Sequence, residues 1–272
     1  MSGVHSGIRL ADVGKTFPAR GSGGELTALA GIDLEIGAGE FAVIVGPSGC
    51  GKSTLLDLLG GLAEPDTGLI QLDGTPVRGP GRDRGIVFQQ YALLPWRTAR
   101  GNVEFGLEAT GVRRADRARR AREYLDLVGL LEFADRHPHE LSGGMKQRVA
   151  IARSLAYDPD VLLMDEPFAA LDAQARESLQ DELLRIWRRT GKTVLFITHS
   201  IDEAVYLGQR VVVLTSRPGR VKSVVDIDLP RRDEVADVRS TGEFARYRHA
   251  IWELLHDEVA RAHELEKEAV GA

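Results

Sequence analysis

One short segment carries the clearest chemistry in the chain. Gly46-Pro47-Ser48-Gly49-Cys50-Gly51-Lys52-Ser53-Thr54 sets two glycines with four residues between them and follows the second with Lys and Ser. Glycines let backbone N–H groups converge on phosphate oxygens without a Cβ in the way. A helix opening near Lys52 would point its positive end at the same oxygens. Lys52 is then placed to reach the terminal phosphates of a nucleoside triphosphate, and the Ser53 hydroxyl to ligate Mg²⁺. Gly46, Pro47, Ser48, Gly49, Cys50, Gly51 and Thr54 complete the cradle. Cys50 is expected to act through its backbone N–H and not through its thiol.

Two further segments suit the same chemistry. Asp165-Glu166 directly follows the apolar run 161–164. A carboxylate at the end of a buried strand beside a phosphate loop holds Mg²⁺ through water, and the next acid faces the attacking water as general base. Alone the pair would mark an ordinary turn; the phosphate loop gives it a role. Leu141-Ser142-Gly143-Gly144-Met145 opens a helix that Ser142 caps, with Met145, Val149, Ala152 and Ala156 down one face. Its two glycines leave the first N–H groups open to a second anion.

These groups need elements to hold them. Phe41–Val45 is a continuous apolar run that ends at the glycine loop, the pattern of a buried parallel strand feeding a helix over residues 55–62. Runs at 161–164, 194–197 and 211–214 repeat the strand pattern with helical stretches between them, which predicts a mostly parallel sheet flanked by helices. Residues 32–36 alternate apolar and acidic, so that strand has one wet face. Glycines at 21, 23 and 24 read as a turn. Between Ala92 and Tyr157 the strand signals vanish and helix formers dominate. A final helix carries Phe244, Tyr247, Ile251, Leu255 and Val259 at helical spacing, a stripe suited to covering a core.

Bulk properties narrow the setting. The 272 residues are 43% hydrophobic and 28% charged, with net charge −5, as in an ordinary globular protein not held to nucleic acid by bulk charge. No run approaches the ~20 apolar residues of a membrane-spanning helix. The N-terminus lacks a basic segment followed by an apolar stretch, so export is not expected. A single cysteine precludes an internal disulfide and suits a reducing compartment. Arg113, Arg114, Arg117, Arg119 and Arg120 read as the wet face of a helix offset by Asp116, Glu123 and Asp126, and not as a lipid or nucleic-acid patch.

Residues 141–148 resemble the signature motif of ABC ATPases, with Met145 where Gln is commoner. The resemblance spans about residues 8–219 and gives other residues a meaning. Gln89 is similar to the glutamine that senses Mg²⁺ and the attacking water, and His199 to the switch histidine at the γ-phosphate. Ala170-Leu171-Asp172 resembles the segment that meets the partner subunit, with Asp172 also placed to cap a helix over residues 173–189. Phe17 is the aromatic chosen to stack on adenine, although an aromatic in an N-terminal strand more often serves a core. The family implies an α/β fold: a P-loop NTPase core with a mostly parallel sheet, an N-terminal antiparallel β subdomain and an inserted α-helical subdomain. Its expected segments are 1–91 (β subdomain and first part of the core), 92–157 (helical, with the signature), 158–224 (second part of the core) and 225–272 (helical tail).

The resemblance also implies ATP and Mg²⁺ as ligands and a second copy of the chain arranged head to tail. In that arrangement Ser142, Gly143, Gly144, Met145 and Asp172 contact the partner's nucleotide, and Glu166, His199, Gln89 and Lys52 serve hydrolysis. It implies transmembrane permease subunits, a periplasmic binding protein acting indirectly, and a peripheral position on the cytoplasmic face of the cell membrane, with no nucleic acid expected. Residues 91–98, Asn102-Val103 and 215–220 look like the importer ATPases of the nitrate, sulfonate and taurine group. Trp96 in that stretch is either core packing or part of a permease-docking surface. Ala99-Arg100-Gly101 departs from the group, which carries an aliphatic and then an acidic residue there. A non-transport ABC ATPase acting on nucleic acid or ribosomes, or an exporter ATPase, is the alternative.

Overall fold

The computed structural model describes residues 7–18, 24–229 and 237–271, with side chains of the last stretch described to Ala262 and at Glu264. The turn residues 21–23 and the polar stretch 230–236 lie outside the described residues. The chain divides into two compact units, one made of residues up to Pro80 and from Leu195, the other of Gly81–Val194.

The first unit opens with β1 (Ile8–Pro18) and β2 (Glu25–Ile36), then β3 (Phe41–Val45), α1 (Lys52–Gly60), β4 (Thr67–Leu72) and β5 (Thr75–Pro76). β2, β1, β4 and β5 form an antiparallel sheet in that order. Ile32, Leu34 and Ile36 are buried while Asp33 and Glu35 are exposed, the period-two pattern of a strand with one wet face. β2 extends well before residue 32 because its pairing with β1 continues, through register shifts, to Pro18 opposite Glu25. All five residues of β3 are buried. α1 starts earlier and stops earlier than the run 55–62. Its end is set by Gly61, at φ 71°, where a Cβ would lie 2.1 Å from the Gly79 carbonyl oxygen.

The second unit holds β6 (Arg84–Val87), α2 (Ala99–Ala109), α3 (Arg114–Leu127), α4 (Gly143–Leu155), β7 (Val161–Asp165) and α5 (Ala173–Thr190). β6 and β7 run parallel, with Val87 opposite Met164. No strand interrupts the described residues from 92 to 157. Val149 and Ala152 of α4 are buried, and Asp116 pairs with Arg113 and Arg119 at the start of α3.

The chain then returns through β8 (Thr193–Ile197), α6 (Ile201–Leu207), β9 (Arg210–Leu214), β10 (Val221–Asp226) and α7 (Gly242–Gly271). In the first unit β10, β9, β3 and β8 lie in that order, β3 parallel to β9 and β10 antiparallel to it. α7 buries Phe244, Ile251 and Leu255 as its stripe requires, but Val259 is 39% exposed and Trp252, off the stripe, 48% exposed. The whole is an α/β fold with an antiparallel N-terminal sheet and mixed, mostly parallel strand pairing.

Candidate functional site

In the first unit the buried strand β3 delivers the chain to Gly46, and α1 begins at Lys52. Gly51 has φ 101°, and a Cβ there would lie 2.7 Å from Leu29 Cδ2 and 2.9 Å from the Ala28 carbonyl oxygen. Both backbone angle and space therefore demand glycine at the helix start. Lys52 is only 8% exposed, and its ammonium donates to the carbonyls of Gly46 at 2.9 Å and Pro47 at 2.8 Å. A buried cation whose partners are neutral dipoles, at the positive end of a helix, makes a strong anion site. Ser53 is exposed and Thr54 half-buried. Burial pushes the Cys50 thiol up, with Lys52 only partly offsetting it, so the thiolate needed for redox chemistry is disfavoured.

His199 is exposed and follows β8, whose neighbour Thr198 donates its N–H to the Ile44 carbonyl of β3 at 3.1 Å. The turn that carries His199 is fixed locally. The Ser200 N–H donates to the Thr198 hydroxyl at 3.0 Å, that hydroxyl bonds the buried Glu203 carboxylate, and the Ser200 hydroxyl caps α6. His199 shares a cavity of about 450 Å³ with Gly46, Pro47 and Ser48, closed on another side by Trp252 and His256 of α7. The fold thus brings the phosphate loop and the histidine together. Phe17 does not line that cavity; it sits near the end of β1, 39% exposed, with the Lys15 ammonium 5.6 Å from its ring centre.

In the second unit Asp165 ends β7 and is half-buried, as is Glu166. Glu166 has φ 41°, a left-handed conformation that costs a non-glycine residue about 1 kcal/mol or more. Such strain concentrates where a side chain must be aimed. Gln89 is exposed just beyond β6. α4 clamps the chain on both sides of it: Arg153 donates to the Ala92 carbonyl at 2.6 Å and the Tyr91 carbonyl at 3.2 Å after it, and the Ser154 hydroxyl donates to the Ile86 carbonyl of β6 at 3.0 Å before it. The far end of α4 carries Ser142, whose hydroxyl accepts from the Met145 N–H at 3.3 Å. A Cβ on Gly143 would lie 3.1 Å from the Tyr91 hydroxyl and one on Gly144 3.1 Å from Leu179 Cδ1, so the two glycines also permit close packing. The Asp172 carboxylate caps α5 by accepting from the Ala175 N–H at 2.9 Å.

Sequence reasoning missed three residues of this unit that the geometry brings forward. Arg153 is the clamp just described. Gln147 is fully buried in α4, and neither its amide oxygen nor its nitrogen has a partner among the described residues. Asn102 stands in the sequence only as part of a pattern shared with the importer group. Its buried side chain accepts from the Leu94 N–H at 2.8 Å and donates to the carbonyls of Leu94, Arg97 and Thr98 at 3.2, 3.1 and 3.0 Å. That four-bond staple displays Trp96, which is 71% exposed and so is not core packing. Arg100, the departure from the importer group, pairs with Asp135 at 2.9 Å and Glu104 at 3.6 Å within the same unit.

Among the described residues no cluster of three or more His, Cys, Asp or Glu can hold a metal by itself. Ser53, Asp165 and Gln89 are oxygen donors of the kind Mg²⁺ takes alongside water and phosphate oxygens, so the residues suit that ion. No helix among the described residues is long and apolar enough to cross a membrane.

Comparison with known proteins agrees with this chemistry. Residues 29–169 match the family model described as ABC transporter. An uncharacterized ABC transporter ATP-binding protein of Methanocaldococcus jannaschii is 55% identical over 255 residues, covering 94% of this chain and 93% of that protein. A nitrate import ATP-binding protein of Synechocystis is 49% identical over 253 residues, covering 91% and 94%. Among solved structures, the dimeric post-hydrolysis state of an ATP-binding cassette bound to ADP and Pi superposes with a TM-score of 0.71 at 36% identity, covering 81% of this chain and 99% of that one.

Proposed function

The chain belongs to the ABC transporter family of ATP-binding proteins, and from that premise we propose that it powers import of a small anion through a separate permease. It is an ATP-hydrolysing cassette. The transported molecule in this reading is nitrate, an aliphatic sulfonate or taurine. The observation that carries the reading is the 49% identity to a nitrate import ATP-binding protein over nearly the whole of both chains.

In this reading the loop from Gly46 to Thr54 wraps the phosphates and Lys52 exchanges its two carbonyl partners for phosphate oxygens. Phe17 offers its exposed ring to adenine. Glu166 accepts a proton from the attacking water, and His199 holds the γ-phosphate from the cavity it shares with Pro47 and Ser48. Gln89 orients that water. Ser53, Gln89 and Asp165 are the residues that would hold Mg²⁺, Asp165 through water, and the ion would neutralise charge on the phosphates. Ser142, Gly143, Gly144, Met145 and Asp172 serve the nucleotide of a second copy arranged head to tail, a reading supported by the dimeric state of the similar solved cassette. Residues 92–157 form the part that meets the permease at the cytoplasmic face of the membrane, with Trp96 as its exposed anchor. A periplasmic binding protein delivers the anion to that permease.

Deleting the gene tests the cargo. Growth should fail on nitrate as sole nitrogen source, or on taurine or an alkanesulfonate as sole sulfur source, and return with the intact gene but not with its Lys52→Ala form. Normal growth and uptake on all three would refute the assignment.

A further inference from the structure

The turn between β9 and β10, residues 215–220, touches three parts of the first unit at once. Its far side is tied to β2: the Gly219 N–H donates to the Ala28 carbonyl at 2.9 Å, and the Ala30 N–H to the Gly219 carbonyl at 3.0 Å. Its near side is tied to α7. The Ser216 N–H and hydroxyl both donate to Glu258 Oε2, at 2.9 and 3.0 Å, while Lys222 Nζ lies 2.9 Å from Glu258 Oε1. Glu258 is 1% exposed, a buried carboxylate whose Oε2 serves the turn while Oε1 meets Lys222 and, at 3.4 Å, Arg261 of the same helix. Thr215 closes the turn on itself, donating its N–H to the Arg220 carbonyl and accepting from the Arg220 N–H, both at 3.0 Å.

From the middle of this braced turn Arg217 reaches the phosphate loop. Its Nε and Nη2 donate to the Gly49 carbonyl oxygen at 3.3 and 3.2 Å. Two residues on, Gly219 presses against the next carbonyl, since a Cβ there would lie 2.2 Å from the Cys50 oxygen. The Gly49 carbonyl and the Cys50 N–H share one trans peptide plane and point to opposite sides of it. With that carbonyl held by Arg217, the Cys50 N–H on the other side of the peptide donates to the Pro47 carbonyl at 3.4 Å, the same carbonyl that Lys52 engages.

We propose that Arg217 is a positioning residue for the phosphate loop, held in place by the C-terminal helix through Glu258 and Ser216. It fixes the Gly49–Cys50 peptide so that its N–H stays on the Pro47 and Lys52 side of the loop, ready to pass from the Pro47 carbonyl to a phosphate, and it does so without touching the nucleotide. The idea rests on the phosphate-loop reading above and gives the tail a part in nucleotide affinity. Preorganised donors bind anions better than donors that must first be ordered, so the effect belongs to ATP binding and not to the chemical step.

The test uses the full chain, with ATP affinity measured by calorimetry, steady-state kcat and KM, and the urea midpoint as a check of folding. Arg217→Ala should weaken ATP binding about tenfold and raise KM in step, with kcat at saturation within about twofold and the urea midpoint unmoved. Arg217→Lys, which can restore one donor, should recover part of the loss. Glu258→Gln should weaken binding several-fold and add nothing in an Arg217→Ala background. Where Glu258→Gln also lowers the urea midpoint, Ser216→Ala replaces it. A folded Arg217→Ala protein that binds ATP like the wild type overturns the proposal, as do Arg217 and Glu258 effects that multiply. A wild-type protein that does not bind ATP overturns the phosphate-loop reading itself.

Discussion

In the proposed reading, Glu166 and Lys52 divide the work at the scale of single residues. Lys52 is buried among carbonyl oxygens and can offer its charge only to something entering the loop mouth. Glu166 holds a left-handed backbone, φ 41°, just past the end of a buried strand, a conformation that costs a non-glycine residue about 1 kcal/mol or more. Glu166→Gln should therefore lower phosphate release by about 10²- to 10⁴-fold while ATP affinity stays within about twofold. A variant with near-normal turnover removes Glu166 from the role of base. Lys52→Ala should lose ATP affinity itself, and calorimetry separates the two outcomes. The phosphate loop, the acidic strand end and the capped signature helix were all legible because each is a contiguous pattern with a local cause. Arg217 and Arg153 were not legible. Their partners are backbone carbonyls distant in sequence, and a carbonyl has no sequence signature.

Elements decide how firmly these groups are held. α2 and α4 approach so closely that a Cβ on Gly106 would lie 2.8 Å from the Arg153 carbonyl oxygen. Gly106→Val should thus destabilise the protein by about 1–3 kcal/mol in urea denaturation and loosen the Arg153 clamp on Tyr91 and Ala92. Asn102→Ala would leave the Leu94 N–H without its acceptor and should release Trp96. Basal ATPase should survive and stimulation by the permease should fall, which reconstituted vesicles can measure. α7 carries a pH signature. Burial alone would raise the Glu258 carboxyl, but hydrogen bonds from Lys222 and Ser216 outweigh it and leave it below the ordinary carboxylate range. A group with a lowered folded pKa stabilises above its unfolded value near 4.3 and loses that contribution as pH falls through the lower folded value. Hydrogen exchange should show α7 protected at neutral pH and loosened only in acid, as pH falls below the ordinary carboxylate range. Release at a higher pH would contradict the anchor. Helix and strand types were readable from periodicity, whereas boundaries were not. α1 ends where Gly61 turns left-handed, and only glycine fits there because a Cβ would meet the Gly79 backbone, a contact that the local pattern does not reveal.

The two units of the molecule carry different parts of the proposed chemistry: the glycine loop and His199 lie in one, Glu166 and the helix capped by Ser142 in the other. A cassette that hydrolyses ATP with a second copy of itself should form a dimer that depends on ATP and on the signature residues. The most direct measurement is light scattering of the Glu166→Gln protein with and without MgATP. The account predicts that the mass doubles with MgATP, returns to that of a monomer when nucleotide is removed, and fails to double when Ser142→Arg is added although ATP still binds. A Glu166→Gln protein that binds MgATP and stays monomeric, or one that dimerises regardless of Ser142, would contradict the head-to-tail composite site.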